Sequence, residues 1–152
     1  MAKFSFNGMD EISASFEQLS RLTDDDKMSV IMPAAQLLLQ RQKEKILSLF
    51  TQRTGDLANS LTIEKRSGED GAFAYIFPKG KHRGSSTGKR RGKRRSNGKY
   101  SGTNSEVAYI LEYGSPRISA THWMENANEE AEDEVVSAQQ AAWDDLITEK
   151  GL

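Results

Sequence analysis

The sequence predicts an α+β domain in which a small antiparallel sheet packs against a long helix and a long C-terminal helix, with a long basic loop. Three observations predict it. Apolar residues recur at helical spacing in two long stretches, they alternate with period two in several short ones, and residues 78–104 have the composition of neither. The 152 residues form one domain, 1–152, which is long enough for a real core.

In chain order, Phe4 and Phe6 alternate with polar residues, so Lys3 to Asn7 is a short strand candidate that Gly8 ends. Asp10 to Leu22 carries Ile12, Phe16, Leu19 and Leu22 as a single apolar stripe, a helix that packs on something. Thr23-Asp24-Asp25-Asp26 supplies a cap and first-turn acids for a second helix, roughly Asp25 to Phe50. Its stripe is Ile31, Ala35, Leu38, Ile46 and Phe50, and Pro33 should kink it or delay its start. Arg53-Thr54-Gly55-Asp56 breaks it, and Asp56 to Ser60 adds one further turn.

Leu61 and Ile63 begin a strand, and Phe73, Tyr75 and Phe77 define another, with Ser67 to Gly71 as the turn of a hairpin. Val107, Tyr109, Leu111 and Tyr113 also alternate, which predicts a fourth strand ended by Gly114. The basic loop 78–104, too rich in Gly, Ser, Lys and Arg to form a core, then reads as a flexible insertion between strands. A final helix runs from Thr121 or His122 to Thr148 with the stripe Met124, Ala127, Ala131, Val135, Ala138, Ala142 and Leu146.

The formal net charge of -1 conceals a separation. Lys79, Lys81, Arg83, Lys89, Arg90, Arg91, Lys93, Arg94, Arg95 and Lys99 lie in one stretch without an acid, which leaves the rest of the chain at -11. Such a segment attracts phosphate in a salt-dependent way, and with only Tyr100 interleaved it would contact DNA backbone rather than stack on bases. A solubilising loop, or one docked on an acidic protein surface, is as good a reading. The acids Glu129, Glu130, Glu132, Asp133 and Glu134 read first as a solvated helix face, and second as a receiver for a neighbouring subunit's basic loop.

Nothing in the sequence recommends an enzyme. There is no cysteine, and the two histidines, His82 and His122, make a poor metal set, so no cofactor or metal is expected. His122 is expected to cap or pack beside Trp123. Gly84-Ser85-Ser86-Thr87-Gly88-Lys89-Arg90 falls one residue short of a phosphate-binding loop and has Arg90 where a magnesium-binding hydroxyl is needed. No apolar run reaches membrane-spanning length and the N-terminus lacks a signal-peptide core, so a soluble protein made in the cytoplasm is expected.

Several motifs, taken in order, carry a resemblance. They are Phe4-Ser5-Phe6-Asn7-Gly8-Met9-Asp10-Glu11, then Arg53-Thr54-Gly55-Asp56-Leu57-Ala58-Asn59-Ser60-Leu61 after a long helix, then Tyr109-Ile110-Leu111-Glu112-Tyr113-Gly114, then a long last helix. This order resembles the siphophage neck or tail-completion family, the head–tail joining proteins that include the lambda-like minor tail protein Z group. Ala120-Thr121-His122-Trp123-Met124 lacks the prolines usual in that family at the last helix start. The resemblance implies a non-catalytic virion protein in the neck or tail. It would assemble in the host cytoplasm as a ring of copies, six-fold to match a tail tube, against the tail terminator or tail tube and the head-closure or connector proteins. Genomic double-stranded DNA would occupy the channel. Arg53, Gly55, Glu112, Gly114 and Trp123 are expected to be structural residues: Gly55 can take a positive φ and reverse the chain after the long helix, and Glu112, at the end of an apolar strand, is the expected salt-bridge partner of Arg53. The alternative is a sequence-independent DNA-binding protein that uses the basic loop.

Overall fold

The computed structural model describes residues 17, 19–50, 56–68, 71–80 and 103–151. The strand expected at Lys3–Asn7, most of the helix expected at 10–22, Arg53, Gly55 and the basic residues from Lys81 to Lys99 lie outside them. Among the described residues the bounded elements follow in the order α1 (Asp24–Leu49), α2 (Asp56–Ser60), β1 (Leu61–Gly68), β2 (Gly71–Pro78), α3 (Asn104–Tyr113) and α4 (Trp123–Lys150).

The α1 helix starts where its first-turn chemistry dictates. Thr23 Oγ1 accepts the Asp26 N–H at 3.2 Å, and Asp26 Oδ2 accepts the Thr23 N–H at 2.9 Å, a reciprocal capping box. Pro33 does not delay this start, because the cap lies ten residues upstream of it. Val30, Ala34, Ala35, Gln42 and Ile46 form its buried side. Gln42 is the polar member of this side. Its Nε2 donates to the exposed Asn128 Oδ1 on α4 at 2.8 Å, so a part-buried amide pair links the two helices here.

The hairpin forms as expected. Strands β1 and β2 pair antiparallel in the register Leu61↔Pro78, Ile63↔Ile76, Glu64↔Tyr75 and Arg66↔Phe73. The face holding buried Leu61 and Pro78 turns inward, and α1 contacts both strands. The opposite face carries Phe73, Tyr75 and Phe77 beside Thr62, Glu64 and Arg66.

The fourth strand is not present: residues 104–113 are the helix α3. Thr103 Oγ1 accepts the Glu106 N–H at 3.1 Å while Glu106 Oε2 accepts the Thr103 N–H at 2.8 Å, so a second capping box starts a helix. A strand would put Val107, Tyr109, Leu111 and Tyr113 on one face. The helix instead turns Val107, Ala108 and Leu111 toward the core and leaves Tyr109 and Tyr113 as an exposed i,i+4 pair, ring centroids 4.8 Å apart. The basic segment is therefore inserted between β2 and α3, not between two strands.

Antiparallel to α1, α4 forms the larger helix–helix contact. Below their seam lies the core of Ile46, Leu57, Ala58, Leu61, Ala108 and Trp123. At the far end Lys150 Nζ reaches Asp26 at 2.9 Å and ties the end of α4 to the cap of α1. Hydrogen bonds from Lys150 and Thr23 lower the Asp26 pKa from 3.8 to about 2. A depressed carboxylate contributes stability that is complete above its unfolded value and is lost as pH falls through the folded one. Asp26→Asn should therefore destabilise the protein above pH 3.8, with the difference from the parent closing as pH falls toward about 2. Urea midpoints measured across that range check it, and a gap that stays constant with pH would contradict the assignment.

Candidate interaction surfaces and the α3–α4 junction

The junction between α3 and α4 explains why Glu112, Gly114 and Trp123 stand at their spacing. Gly114 caps α3 with φ 83°, and its N–H donates to Ile110 O at 2.8 Å. A Cβ at this position would lie 2.8 Å from the Ala120 backbone nitrogen, so the returning chain uses the space that a side chain would occupy. The chain turns through an antiparallel Ser115–Ile118 bridge and comes back beside the last turn of α3. There Thr121 N–H donates to Leu111 O at 2.9 Å and His122 N–H to Glu112 O at 3.2 Å.

The helix α4 then begins without help from its own N-cap. His122 sits in the left-handed region, φ 48° and ψ 38°, and its side chain makes no capping hydrogen bond. The expectation that His122 caps the helix is corrected here. Glu112 does it from α3: Oε2 accepts the Met124 N–H at 2.7 Å and Oε1 the Glu125 N–H at 3.2 Å. A buried carboxylate placed on two free N–H groups meets the positive end of the helix dipole as well. Trp123 follows, fully buried, and its Nε1 donates to Ala108 O at 3.3 Å. The expected pair between Arg53 and Glu112 has only its Glu112 half among the described residues. Both oxygens of that half already accept a backbone N–H.

Glu112, His122 and Glu125 also bring three ligand atoms within 4.8 Å of one another, which a divalent cation could use. His122 Nδ1 lies 3.2 Å from Glu125 Oε2. An ion there competes with the amides for Glu112 and sits at the positive end of a helix dipole, so the arrangement serves α4 better than it serves a metal.

The acidic run on α4 is divided by the helix. Glu134 takes a two-pronged contact from Arg41, with Nη2–Oε2 at 2.7 Å and Nε–Oε2 at 3.0 Å, and Glu130 pairs with Lys45. Glu44 completes the Arg41 cluster at 3.0 Å, and the hydrogen bonds that Arg41 donates to Glu134 and Glu44 raise its pKa. Glu129, Glu132 and Asp133 are exposed. The reading as a solvated face holds for these three, while Glu130 and Glu134 fasten the two long helices. A shallow groove of about 400 Å³ along this seam is lined mainly by the same charged side chains.

Of the basic series only Lys79 is described, and it is exposed. The two ends of the segment are pinned side by side. Asn104 N–H donates to Gly80 O at 3.0 Å, Asn104 Nδ2 to Lys79 O at 2.9 Å, and Ser105 Oγ to Pro78 O at 2.7 Å. Lys81, Arg83, Lys89, Arg90, Arg91, Lys93, Arg94, Arg95 and Lys99 fall in the sequence between these two ends, outside the described residues. The described surface also carries Tyr109 and Tyr113, each 63% exposed, and Phe73 and Tyr75 on the hairpin, 44% and 48% exposed. Arg66 lies over the Tyr75 ring, 5.4 Å from its centroid.

No protein family, curated protein or solved structure matches the chain. Among the described residues, no helix is long and apolar enough to cross a membrane.

The junction makes two quantitative expectations. Glu112→Ala should cost about 1–2 kcal/mol, the usual range for a lost N-cap, and speed amide exchange at Met124 and Glu125. Gly114→Ala should cost about 1–3 kcal/mol from its left-handed backbone, with crowding against Ala120 added. Denaturant melts and residue-resolved exchange check both. An unchanged midpoint in either variant would refute the corresponding role.

Proposed function

We propose that this protein is a non-catalytic structural subunit of a phage neck, a tail-completion protein that works as a ring of copies at the joint between head and tail. One observation carries the assembly part. Among the described residues, eight large hydrophobic side chains are exposed while six, Val30, Ile46, Leu57, Leu61, Trp123 and Leu146, are buried. Single exposed apolar residues are ordinary, but aromatic pairs on two separate elements suit contacts with neighbours. A closed ring needs two different patches on each copy, because its contacts are heterologous. The ordered motifs from Phe4 to Gly114 support the neck in particular, and the Glu112 cap and Gly114 turn give two of those motif residues a structural reason.

Partners under this reading are further copies, a tail terminator or tail tube, and a head-closure or connector protein. The purified chain should form a ring-sized species or assemble on tail tubes, read by mass measurement in solution. Tyr109→Ser together with Tyr113→Ser should shift that species toward monomer. Phage particles that lack the protein yet carry joined, infectious tails would rule the proposal out.

A second reading rests on the basic segment held at the Gly80–Asn104 base. Ten positive charges with no acid among them would bind duplex DNA through its phosphates, without sequence choice. With about six to ten phosphates engaged, affinity should fall by roughly 10³–10⁵ between 50 and 200 mM salt. Replacing 81–102 with a Gly/Ser segment of equal length should abolish it. Binding that does not weaken with salt, or survives the replacement, would dismiss this reading. The two functions are compatible, since a neck ring encloses DNA.

A further inference from the structure

Strands β1 and β2 form a two-stranded sheet, so among the described residues each has one edge without a strand beside it. The hydrogen-bond phase decides which backbone groups those edges hold. Lys79 N–H donates to Ser60 O at 2.9 Å, and 60↔79 continues the register Leu61↔Pro78 by one step. In an antiparallel ladder, pairs that exchange hydrogen bonds alternate with pairs that do not. Thr62↔Phe77, Glu64↔Tyr75 and Arg66↔Phe73 are therefore the bonded pairs. Ile63, Lys65 and Ser67 of β1, and Ala72, Ala74 and Ile76 of β2, turn their N–H and C=O groups outward. None of these six residues is buried, and among the described residues no further backbone group meets theirs. Pro78, which has no N–H, falls at an outward position as the phase requires. The open stretch of β2 ends there, because Pro78 is buried and its O accepts from Ser105 Oγ at 2.7 Å.

We infer that β2 of one copy adds to β1 of the next, with Ala72, Ala74 and Ile76 opposite Ser67, Lys65 and Ile63 of that next copy, so that the hairpins of a ring join into one continuous antiparallel sheet. This contact deepens the ring reading above and rests on it.

Three features of the hairpin select a second copy, in this order of strands. The first is that the two edges are complements. Outward groups recur at every second residue on both, and the register used inside the hairpin aligns all of them across the contact. Each outward pair exchanges two hydrogen bonds, about six for the contact. With β1 of the next copy antiparallel to β2, the two copies keep one orientation along the sheet. Rotation about a ring axis needs that sameness, and the contact is heterologous because its two edges differ.

The second is charge. No residue of β2 is charged, while β1 holds Glu64, Lys65 and Arg66. Two β1 edges meeting about Lys65 would set like charges opposite each other, which is unfavourable. Against β2 the same lysine faces Ala74. It discourages β1 from pairing with itself and leaves it open to β2. The contact also sets Arg66 opposite Phe73 and Glu64 opposite Tyr75 of the neighbour. These repeat the pairs inside the hairpin, where Arg66 lies 5.4 Å from the Tyr75 ring centroid. The third is closure. Two β2 edges paired about a two-fold axis would leave both β1 edges open. Only alternation of β1 and β2 round a ring uses both edges of every hairpin, and a closed sheet has no edge left.

The chain has no cysteine, so introduced thiols report on this contact alone. Across it, Glu64 and Tyr75 stand opposite as a pair without mutual hydrogen bonds, Cα atoms about 4.5 Å apart and within disulfide reach. Full-length Glu64→Cys and Tyr75→Cys chains are co-expressed, purified together, oxidised, and weighed both as native assemblies and after denaturation. The expected product joins one chain of each kind, roughly tenfold in excess over either variant linked to itself, as neighbours held at millimolar effective concentration give. Ala74→Pro is the second variant. The Ala74 N–H points outward, so proline there spares the bonds inside the hairpin. It should keep the circular dichroism of the parent and shift the ring-sized species to monomer. A ring-sized species without the mixed disulfide would overturn the inference and leave the neck reading standing. Tyr75→Cys linked mainly to itself would overturn it too, since β2 then meets β2, and so would an Ala74→Pro chain that assembles as the parent does. A parent chain that stays monomeric, alone and with tail tubes, would overturn both readings.

Discussion

The carboxylate of Glu112 holds the start of α4, and the position of α4 decides most of what the domain can be. Its two oxygens fix the direction in which Met124 and Glu125 present their amides. That direction brings Trp123 under Ala108 and lays the following 28-residue helix along α1. The capping group comes from another helix because the local residue cannot serve: His122 is in a left-handed turn with its ring directed to Glu125. Helix start, core tryptophan and chain reversal at Gly114 are therefore one unit, and none of the three is arranged without the others.

From that unit the rest follows by packing. Antiparallel α1 and α4 are joined at one end by Lys150 and Asp26, and toward the other by Gln42 with Asn128 beside the charged pairs Arg41–Glu134 and Lys45–Glu130. The charged pairs are largely exposed, and such pairs contribute little each. Their value lies in register, since Arg41 meeting Glu134 and Lys45 meeting Glu130 agree on one sliding position of the helices. Ile46 and Trp123, the most deeply buried side chains, then fill the end that the hairpin and α2 close.

Much of this was legible in the amino-acid order. The two long helices, the short turn at Asp56–Ser60 and the hairpin each carry a local signal: a cap, a stripe, or alternation bounded by glycine. The stretch 107–113 misleads because Val, Tyr, Leu and Tyr alternate as a strand would, and the decisive signal lies just upstream in Thr103 and Glu106, a capping box in an otherwise polar run. The cap on α4 was not legible, because its two partners are a dozen residues apart and the adjacent His122 looks like the better candidate. Nor were the Arg41–Glu134 and Lys45–Glu130 pairs, since a partner some ninety residues away leaves no local trace. Glu112 and Gly114 stand in one of the motifs that carry the resemblance, and the geometry supplies a physical reason for both.

The pinned base of the basic segment has a consequence for how this chain can change over time. Because Gly80 and Asn104 are hydrogen-bonded neighbours, the fold holds together the two points between which residues 81–102 are inserted in the sequence, regardless of their content. The entropy of closing such a loop grows only with the logarithm of its length, about 0.6 kcal/mol for each doubling. The domain can thus lengthen, shorten or recharge this segment with little effect on its own stability. It is a slot in which sequence can drift toward a new neighbour while the remainder stays under the stricter rule of a packed core.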